Sequence, residues 1–307
     1  MHKHHTPVLL KESVGYLIER TDGSYFDGTI GFGGHSAEFL KHLSPDAKLV
    51  ATEVDQNAYT FCKDKFSEDS RLRLYNTNFS QINIVSKIEF INGYDGIFAD
   101  LGVSSFQLDN PESGFTYRSE APLDLRLDKT RPLSAADVVN DFREEELASI
   151  FFELGEEKNS RRIARSICQR REVKKIKTTS DIVSLVAEIV PEHFVVKSLS
   201  RIFQALRIYV NDELGVLKEF LNKSVDLLAP DGNIVILTYH SLEDRIVKEV
   251  FKHESLSCVC PPAFPVCVCG KVKRLQILNR KPVTPDDEEL KMNPRSRSAK
   301  LRAAKKI

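Results

Sequence analysis

A glycine-rich turn followed by an acidic residue is the first feature of this sequence that could do chemistry. Residues 24–28 have the apolar character of a short strand, and Gly28-Thr29-Ile30-Gly31-Phe32-Gly33-Gly34 leads from it into a predicted helix. Glycines let the backbone pass close to a ligand, and the start of a helix offers unpaired N–H groups. A second predicted strand, 48–53, ends at Glu53, whose carboxylate can accept both ribose hydroxyls of a nucleotide-like cofactor.

The residues around this turn discriminate between two cofactors. The dinucleotide fingerprint would use the glycines at 31 and 33 but needs a small apolar residue at position 36, which is Ser36. Asp27 directly precedes the glycines, where an acid is unfavourable beside a pyrophosphate but suits the cationic methionine end of S-adenosylmethionine. The turn therefore favours S-adenosylmethionine over NAD.

Polar residues also end two further predicted strands. Strand-like segments occur at 71–75, 94–100 and 232–238, with helical patterns between them. Alternating strands and helices predict an α/β fold with a mostly parallel, Rossmann-like sheet and a ligand at the carboxyl ends of its strands. Asp100 and the pair Tyr239-His240 lie at such ends, so we expect them to face the same crevice.

Composition limits the classes of protein that the chain can represent. It has 307 residues, 41% of them hydrophobic, and 44 basic against 44 acidic residues. No apolar run approaches the roughly 20 residues of a membrane-spanning helix, and the first residues have no signal-peptide pattern. These features predict a globular cytoplasmic protein without a membrane partner. They give no indication of its oligomeric state.

The middle of the chain has a different pattern. Residues 104–131 look like a long ordered loop, and helical patterns follow to about residue 196. In one of them Ile163, Ala164, Ile167 and Cys168 form an apolar stripe beside several arginines. We expect residues 106–205 to form an inserted helical domain, with residues 1–105 and 206–307 forming the core. Local clusters of basic residues at 158–177 and 291–306 are candidates for binding RNA phosphates.

Four of the six cysteines form two Cys-Val-Cys pairs that flank a proline-rich segment. They are Cys258, Cys260, Cys267 and Cys269. One-residue spacing is tighter than the two to four residues usual between zinc ligands. The spacing therefore favours reduced, uncoordinated thiols over zinc, and no metal is expected.

Several longer motifs, in one order along the chain, resemble a single family. They are 5–10 (HTPVLL), 100–109 (DLGVSSFQLD), 122–128 (PLDLRLD), 203–208 (FQALRI), 237–245 (LTYHSLEDR) and 293–302 (NPRSRSAKLR). The sequence is similar to the bacterial small-subunit ribosomal RNA cytosine-N4 methyltransferases. This resemblance implies a class I S-adenosylmethionine-dependent methyltransferase core with an inserted helical domain, acting on a decoding-centre cytidine of 16S rRNA in the small ribosomal subunit.

The resemblance also implies a set of site residues. The cofactor-binding residues would be Gly33, Gly34, His35, Glu53, Phe79, Asp100 and Gln107. Phe79 would lie beside the adenine, and Glu53 stands where the family usually has Asp. Asp100 is the expected hydrogen-bond acceptor for the cytosine amine, and Tyr239 and His240 are expected to stack on or position the base. The expected catalytic residues are therefore Asp100, Tyr239 and His240.

Two other interpretations of the function remain open at this point. The chain can be a methyltransferase that acts on DNA, protein or another RNA. It can also be an assembly factor that binds rRNA without catalysis. An NAD-linked oxidoreductase is the least favoured class.

Overall fold

The computed structural model describes residues 7–103, 115–261, 264 and 266–307. These residues divide into two compact units. One comprises residues up to Gly102 and from Leu214 to Ile307, and the other comprises Val103–Glu213.

The first unit is built on a seven-stranded sheet. Its strands are β1 (Ser24–Asp27), β2 (Lys48–Thr52), β3 (Leu72–Tyr75), β4 (Tyr94–Asp100), β5 (Leu228–Thr238), β6 (Leu275–Ile277) and β7 (Lys300–Lys306). Their order is β3-β2-β1-β4-β5-β7-β6. Strands β1 to β5 are parallel, and β7 runs antiparallel to both β5 and β6. The predicted Rossmann-like α/β fold is confirmed.

The sheet is central because its strands are apolar on both faces. All of β2 except Lys48 is buried, and so is β5 from Gly232 to Thr238. Near-continuous burial of this kind is typical of a parallel sheet that is covered by helices on both sides. Two separate apolar clusters result, one containing Phe26 and Phe220 and the other containing Phe39 and Phe98.

The helices of the first unit follow the strands in the alternating order that the sequence predicts. They are Leu10–Leu17, Gly34–His42, Gln56–Lys65, Ile82–Ile88, Glu213–Leu227, Ser241–Glu254 and Asp287–Met292, with 3₁₀ turns at Phe79–Gln81 and Pro294–Ser298. The first residue of Glu213–Leu227 is the last residue of the second unit. None of the helices in the described part of the chain is long and apolar enough to cross a membrane.

The second unit is helical and has a core of its own. Its described helices are Ala135–Asp141, Glu144–Glu153, Ser160–Val173, Thr179–Ile189 and Glu192–Asn211. On Ser160–Val173 the predicted stripe is confirmed, because Ile163, Ala164 and Ile167 are fully buried and Cys168 packs against them.

The boundaries of this unit differ from the predicted 106 and 205. The second boundary falls after Glu213 because the helix Glu192–Asn211 runs uninterrupted through residue 206. It ends where Asp212 adopts a left-handed conformation.

Part of the C-terminal basic cluster, residues 291–306, belongs to the sheet. Residues 300–306 form β7, in which Leu301, Ala303 and Ala304 are buried. Arg302 is 7% exposed and its Nε donates to Asp244 Oδ1 at 2.6 Å. Lys300 and Arg302 pair with Asp244 and Lys305 pairs with Glu19, so these three cations are already neutralised within the fold. The predicted contact of residues 291–306 with RNA phosphates stays a prediction.

Candidate active site

The strand order reverses between β1 and β4. Strands β2 and β3 lie on one side of β1, and β5 lies beyond β4. In an open α/β sheet, ligands bind in the crevice that such a reversal leaves outside the carboxyl ends of the strands. Asp27 ends β1 and Asp100 ends β4, so the predicted site residues converge on this point.

Asp27 organises the glycine-rich turn from inside. Its carboxylate is 1% exposed and accepts the Ser36 hydroxyl at 2.6 Å and the Thr29 N–H at 3.0 Å. Burial raises the pKa of Asp27 above its ordinary value. Because this carboxylate is almost completely buried, it joins the end of β1 to the following helix and shapes the turn. The contact with the cationic end of a methionine group that the sequence suggested for Asp27 is therefore not open to its side chain.

Two threonines fasten the same turn to the neighbouring strands. The Asp100 N–H donates to Thr29 Oγ1 at 2.6 Å, and the Thr52 hydroxyl donates to the Gly28 carbonyl at 2.8 Å. The turn is thus tied to the ends of both β4 and β2. Neither threonine was expected to have this role from the sequence, although hydroxyl residues at a turn and at a strand end are typical partners for free backbone groups.

Gly33 is the N-cap of the helix Gly34–His42 and has a backbone conformation that favours glycine. Its φ is +72°, and a Cβ there would lie 2.4 Å from Phe66 Cε2. No side chain caps this helix start. The N–H groups of the first residues of a helix have no partner within the helix, so Gly34 and His35 present donors at the β1 end.

Glu53, just after β2, is hydrogen-bonded to the glycine-rich turn. Its Oε2 accepts the Gly31 N–H at 2.9 Å and its Oε1 accepts the Asp55 N–H at 2.8 Å. The side chain is half-buried, and burial raises the pKa of Glu53 to about 7. Each carboxylate oxygen has a second lone pair, so Glu53 can hold the turn and still accept two ligand hydroxyls.

His35 has a structural contact in addition to its place at the helix start. Its Nε2 lies 3.0 Å from the Val8 carbonyl oxygen, which requires a proton on Nε2. Its Nδ1 is 3.6 Å from Asp100 Oδ2, too far for a hydrogen bond. Burial lowers the pKa of His35 and so favours the neutral ring. Through Val8, the ring fixes the segment before Leu10–Leu17.

Phe79 lies beside the turn on a 3₁₀ helix that Asn78 caps. Its ring packs edge to face on Phe220, with 4.9 Å between the ring centroids, and a Cβ on Gly28 would lie 3.0 Å from Phe79 Cβ. One face of this half-buried residue is therefore packed in the core, next to the glycines. Gln107, the remaining predicted cofactor contact, lies outside the described residues.

Asp100 and Tyr239 meet across the ends of β4 and β5. The Tyr239 hydroxyl donates to Asp100 Oδ1 at 2.7 Å. Burial, followed by the charge of Asp100, raises the pKa of Tyr239 well above its ordinary value, so the phenol stays a donor. The Asp100 side chain is 21% exposed, and a carboxylate accepts up to about four hydrogen bonds. Asp100 can therefore keep this contact and accept another from a substrate.

His240 has a different role from that of its neighbour. It is the N-cap of Ser241–Glu254, where its Nδ1 faces the Glu243 N–H at 3.5 Å and its Nε2 lies 3.1 Å from Glu243 Oε1. Its side chain is 9% exposed. A capping box explains the residue locally, since Glu243 reaches back to the His240 N–H at 3.3 Å.

Comparison with known proteins places the chain in a family. The model of the MraW methylase family matches residues 2–307. The chain is 48% identical over 304 residues to Ribosomal RNA small subunit methyltransferase H of Caldicellulosiruptor saccharolyticus, an alignment that covers 99% of each chain. Proteins of the same name from Heliobacterium mobile and Halothermothrix orenii are 45% and 44% identical, covering 100% and 98% of those proteins and 100% and 99% of this chain. Because the family model matches nearly the whole chain, this chain belongs to the MraW methylase family.

Proposed function

We propose that this protein transfers a methyl group from S-adenosylmethionine to the N4 amine of a decoding-centre cytidine in 16S rRNA. One observation carries the proposal: the reversal between β1 and β4 brings the glycine turn, Glu53 and the Asp100–Tyr239 pair to one crevice. The small-subunit rRNA substrate is supported by the names of relatives that align over the full chain.

The residues of the turn fit the cofactor. A Cβ on Gly33 would lie 2.4 Å from Phe66 and one on Gly34 would lie 2.6 Å from Pro7, so only glycine lets the helix start this close to its neighbours. That helix start offers N–H donors for the carboxylate of a methionine group. Glu53 is placed to accept the ribose hydroxyls, and Phe79 supplies an apolar wall for the adenine. When bound, adenosylmethionine supplies a methyl group on a positively charged sulfur.

Asp100 supplies what the amine needs. The N4 lone pair of cytosine is conjugated into the ring, so N4 is a poor nucleophile until a hydrogen-bond acceptor holds its N–H. The Asp100 carboxylate is the acceptor at the β4 end, and Tyr239 holds it in a fixed orientation. Orientation of the amine in line with the methyl group supplies much of the remaining rate enhancement.

A cysteine near the turn argues against methylation at cytosine C5, which uses a thiolate nucleophile. Cys62 is fully buried, and its thiol donates to the Gly31 carbonyl at 3.1 Å. Burial raises the pKa of Cys62 to about 12. Because the thiol is protonated and used within the fold, it supports a mechanism without a covalent adduct on the base.

The second unit carries the cations that suit an RNA partner. The exposed basic residues from 158 to 177 that have no ion pair with another described residue are Lys158, Arg161, Arg162, Lys175 and Lys177. We infer that they contact rRNA phosphates, since such contacts require accessible charges that internal carboxylates do not already neutralise.

The test is methyl transfer from labelled adenosylmethionine, followed by mass spectrometry of the nucleosides. The acceptors are small ribosomal subunits from cells that lack this protein, free 16S rRNA from the same cells, duplex DNA and cytidine. The proposal predicts N4-methylcytidine in 16S rRNA, from the subunit or the free RNA, and none in DNA or cytidine.

Other outcomes would replace the proposal. Methylation of DNA with equal efficiency would assign the protein to a different nucleic-acid substrate. A product methylated at C5 would contradict the role given to Asp100. Binding of rRNA and adenosylmethionine without any product would favour an assembly factor.

A further inference from the structure

The segment between Ser241–Glu254 and β6, here called the cysteine loop (residues 255–274), contains no helix or strand in its described part. It has no apolar core either, because none of its described residues is buried. Val266, Val268 and Val272 are each at least 70% exposed. Burial of side chains therefore cannot hold this loop in one conformation.

The four cysteine sulfurs nevertheless converge at the centre of the loop. The Sγ–Sγ distances are 3.5 Å between Cys267 and Cys269, 3.9 Å between Cys258 and Cys269, and 4.0 Å between Cys260 and Cys267. All four sulfurs lie within 4.8 Å of one another. Four thiolates at a Zn–S distance of about 2.3 Å in a tetrahedron stand about 3.8 Å apart. The observed separations match this arrangement and exceed the roughly 2.05 Å of a disulfide.

Backbone N–H groups point at three of these sulfurs. Cys258 Sγ accepts the Cys260 N–H, Cys260 Sγ accepts the Val268 N–H, and Cys269 Sγ accepts the Val259 N–H, each at 3.4 Å. Donors directed at sulfur stabilise the negative charge that metal-binding thiolates carry. The one-residue spacing is no obstacle, because Cys267 and Cys269 already place their sulfurs in contact.

The base of the loop is closed by a separate set of contacts. The buried Glu254 carboxylate accepts Arg274 Nε at 2.6 Å and Lys271 Nζ at 2.8 Å, and the Arg274 N–H donates to the Glu254 carbonyl at 2.9 Å. These contacts lower the pKa of Glu254 to about 2. They join the two ends of the loop, and the four sulfurs close its distal part.

We propose that Cys258, Cys260, Cys267 and Cys269 bind one Zn²⁺ ion as four thiolates, which fixes the conformation of the cysteine loop. All four ligand positions are filled by protein sulfur, so the site is structural and offers no open position for catalysis. Sequence spacing alone favoured uncoordinated thiols. The convergence of the sulfurs in a loop without a core is the reason for the different conclusion, which does not depend on the proposed methyl transfer.

The test is elemental analysis of the full-length protein, purified under reducing conditions without a metal-affinity tag. The wild type is expected to contain one zinc per chain. The variants Cys258→Ser and Cys269→Ser are expected to lose most of this zinc. The matched control is Cys168→Ser, at a half-buried cysteine on Ser160–Val173, which should keep it.

A second measurement covers the case in which the cysteine variants fail to fold. Wild-type protein depleted of metal and loaded with Co²⁺ should show the visible ligand-field bands of a tetrahedral thiolate site. Chelation should also make the cysteine loop sensitive to protease, and added Zn²⁺ should restore its protection.

Three results would overturn the proposal. One is a metal-free wild type that also fails to take up added Zn²⁺ or Co²⁺. Another is the loss of two thiols to a disulfide among the four cysteines in the freshly purified protein. A stoichiometric content of iron in place of zinc would refute the assigned metal.

Discussion

The crevice has two sides that are built in different ways. The turn side consists of residues 28–34 and Glu53, and it presents backbone N–H groups and one carboxylate. The acid side consists of Asp100 and Tyr239, and it presents side chains that are hydrogen-bonded to each other at 2.7 Å. Backbone donors suit the recognition of a cofactor that is the same in every reaction cycle. A partly exposed carboxylate held by a phenol suits the activation of an amine.

This difference separates two measurable quantities. In the proposed function, the groups of the turn side contact the part of the cofactor that does not react, so changes there should act mainly on cofactor affinity. The groups of the acid side contact the reacting amine in the same proposal, so changes there should act mainly on the rate of methyl transfer.

The largest expected effect on binding comes from Glu53→Gln. The variant keeps the shape of the side chain but loses the negative charge of the carboxylate that we propose accepts two ribose hydroxyls. Hydrogen bonds to a charged group contribute about 1.5–3 kcal/mol, so the dissociation constant of adenosylmethionine should rise about 10–100-fold. Titration calorimetry measures this change. An unchanged dissociation constant would show that Glu53 does not contribute to cofactor binding.

Cofactor affinity should also depend on pH. The pKa of Glu53 in the free protein is about 7, so the carboxyl is mostly protonated at pH 6 and mostly ionised at pH 8. If the ionised form accepts the ribose hydroxyls, as proposed, the affinity for adenosylmethionine should increase by up to about 10-fold over this range. The amino group of the cofactor titrates in both proteins, so the Glu53→Gln variant is the control. Its pH profile should lack the step near pH 7.

The same raised pKa has a consequence for stability. The free folded protein holds the Glu53 proton more tightly than the unfolded chain, whose pKa is the ordinary 4.5. Glu53 therefore contributes most to stability below pH 4.5, and this contribution is lost as the pH rises through about 7. Denaturant unfolding of wild type and Glu53→Gln measures this effect. As the pH rises over this range, the free energy of unfolding of the wild type should fall relative to that of Glu53→Gln, whereas cofactor affinity should rise.

A smaller effect is expected from Tyr239→Phe. The variant removes the hydrogen bond to Asp100 but keeps the ring, so the carboxylate loses its fixed orientation. The rate of methyl transfer at saturating cofactor should fall about 5-fold, and the cofactor dissociation constant should stay nearly constant. If the cofactor dissociation constant changes by the same factor as the rate, then Tyr239 also affects cofactor binding, and the two sides of the crevice do not have separate effects.

The smallest effect is expected from His240→Asn. Asparagine is a preferred N-cap residue, so it should preserve the start of Ser241–Glu254. If capping is the role of His240, the rate and the dissociation constant should both remain within about 2-fold of the wild type. His240→Ala, which removes the cap, should lower the free energy of unfolding by about 1 kcal/mol. A large loss of rate in the Asn variant would support the predicted contact with the base.

The sequence predicted the parallel strands and their ends because long apolar segments and a glycine turn are local signals. It did not predict β7, whose lysines and arginine look like a solvated tail. Lys300 and Arg302 pair with Asp244, and Lys305 pairs with Glu19, contacts between residues that are distant in sequence. By contrast, the basic helix Ser160–Val173 has an apolar stripe with helical period, and its pattern alone predicted which face is buried.

In the site, too, local sequence patterns predicted some contacts and missed others. Position along the chain predicted that Asp100 and Tyr239 would come together, because both end parallel strands. It could not predict that Asp27 would be used by Ser36 and Thr29, since such bonds depend on the path of the turn. Nor could one-residue spacing show that the four cysteine sulfurs would converge.

The role of Asp100 is tested most directly by single-turnover methyl transfer with Asp100→Asn at saturating adenosylmethionine on small ribosomal subunits. Asparagine keeps the size of the side chain and the contact with Tyr239 but is a much weaker acceptor for the amine. We expect the rate to fall at least about 100-fold and the cofactor affinity to change far less. A normal rate in this variant would contradict the assignment of Asp100 as the group that activates the amine.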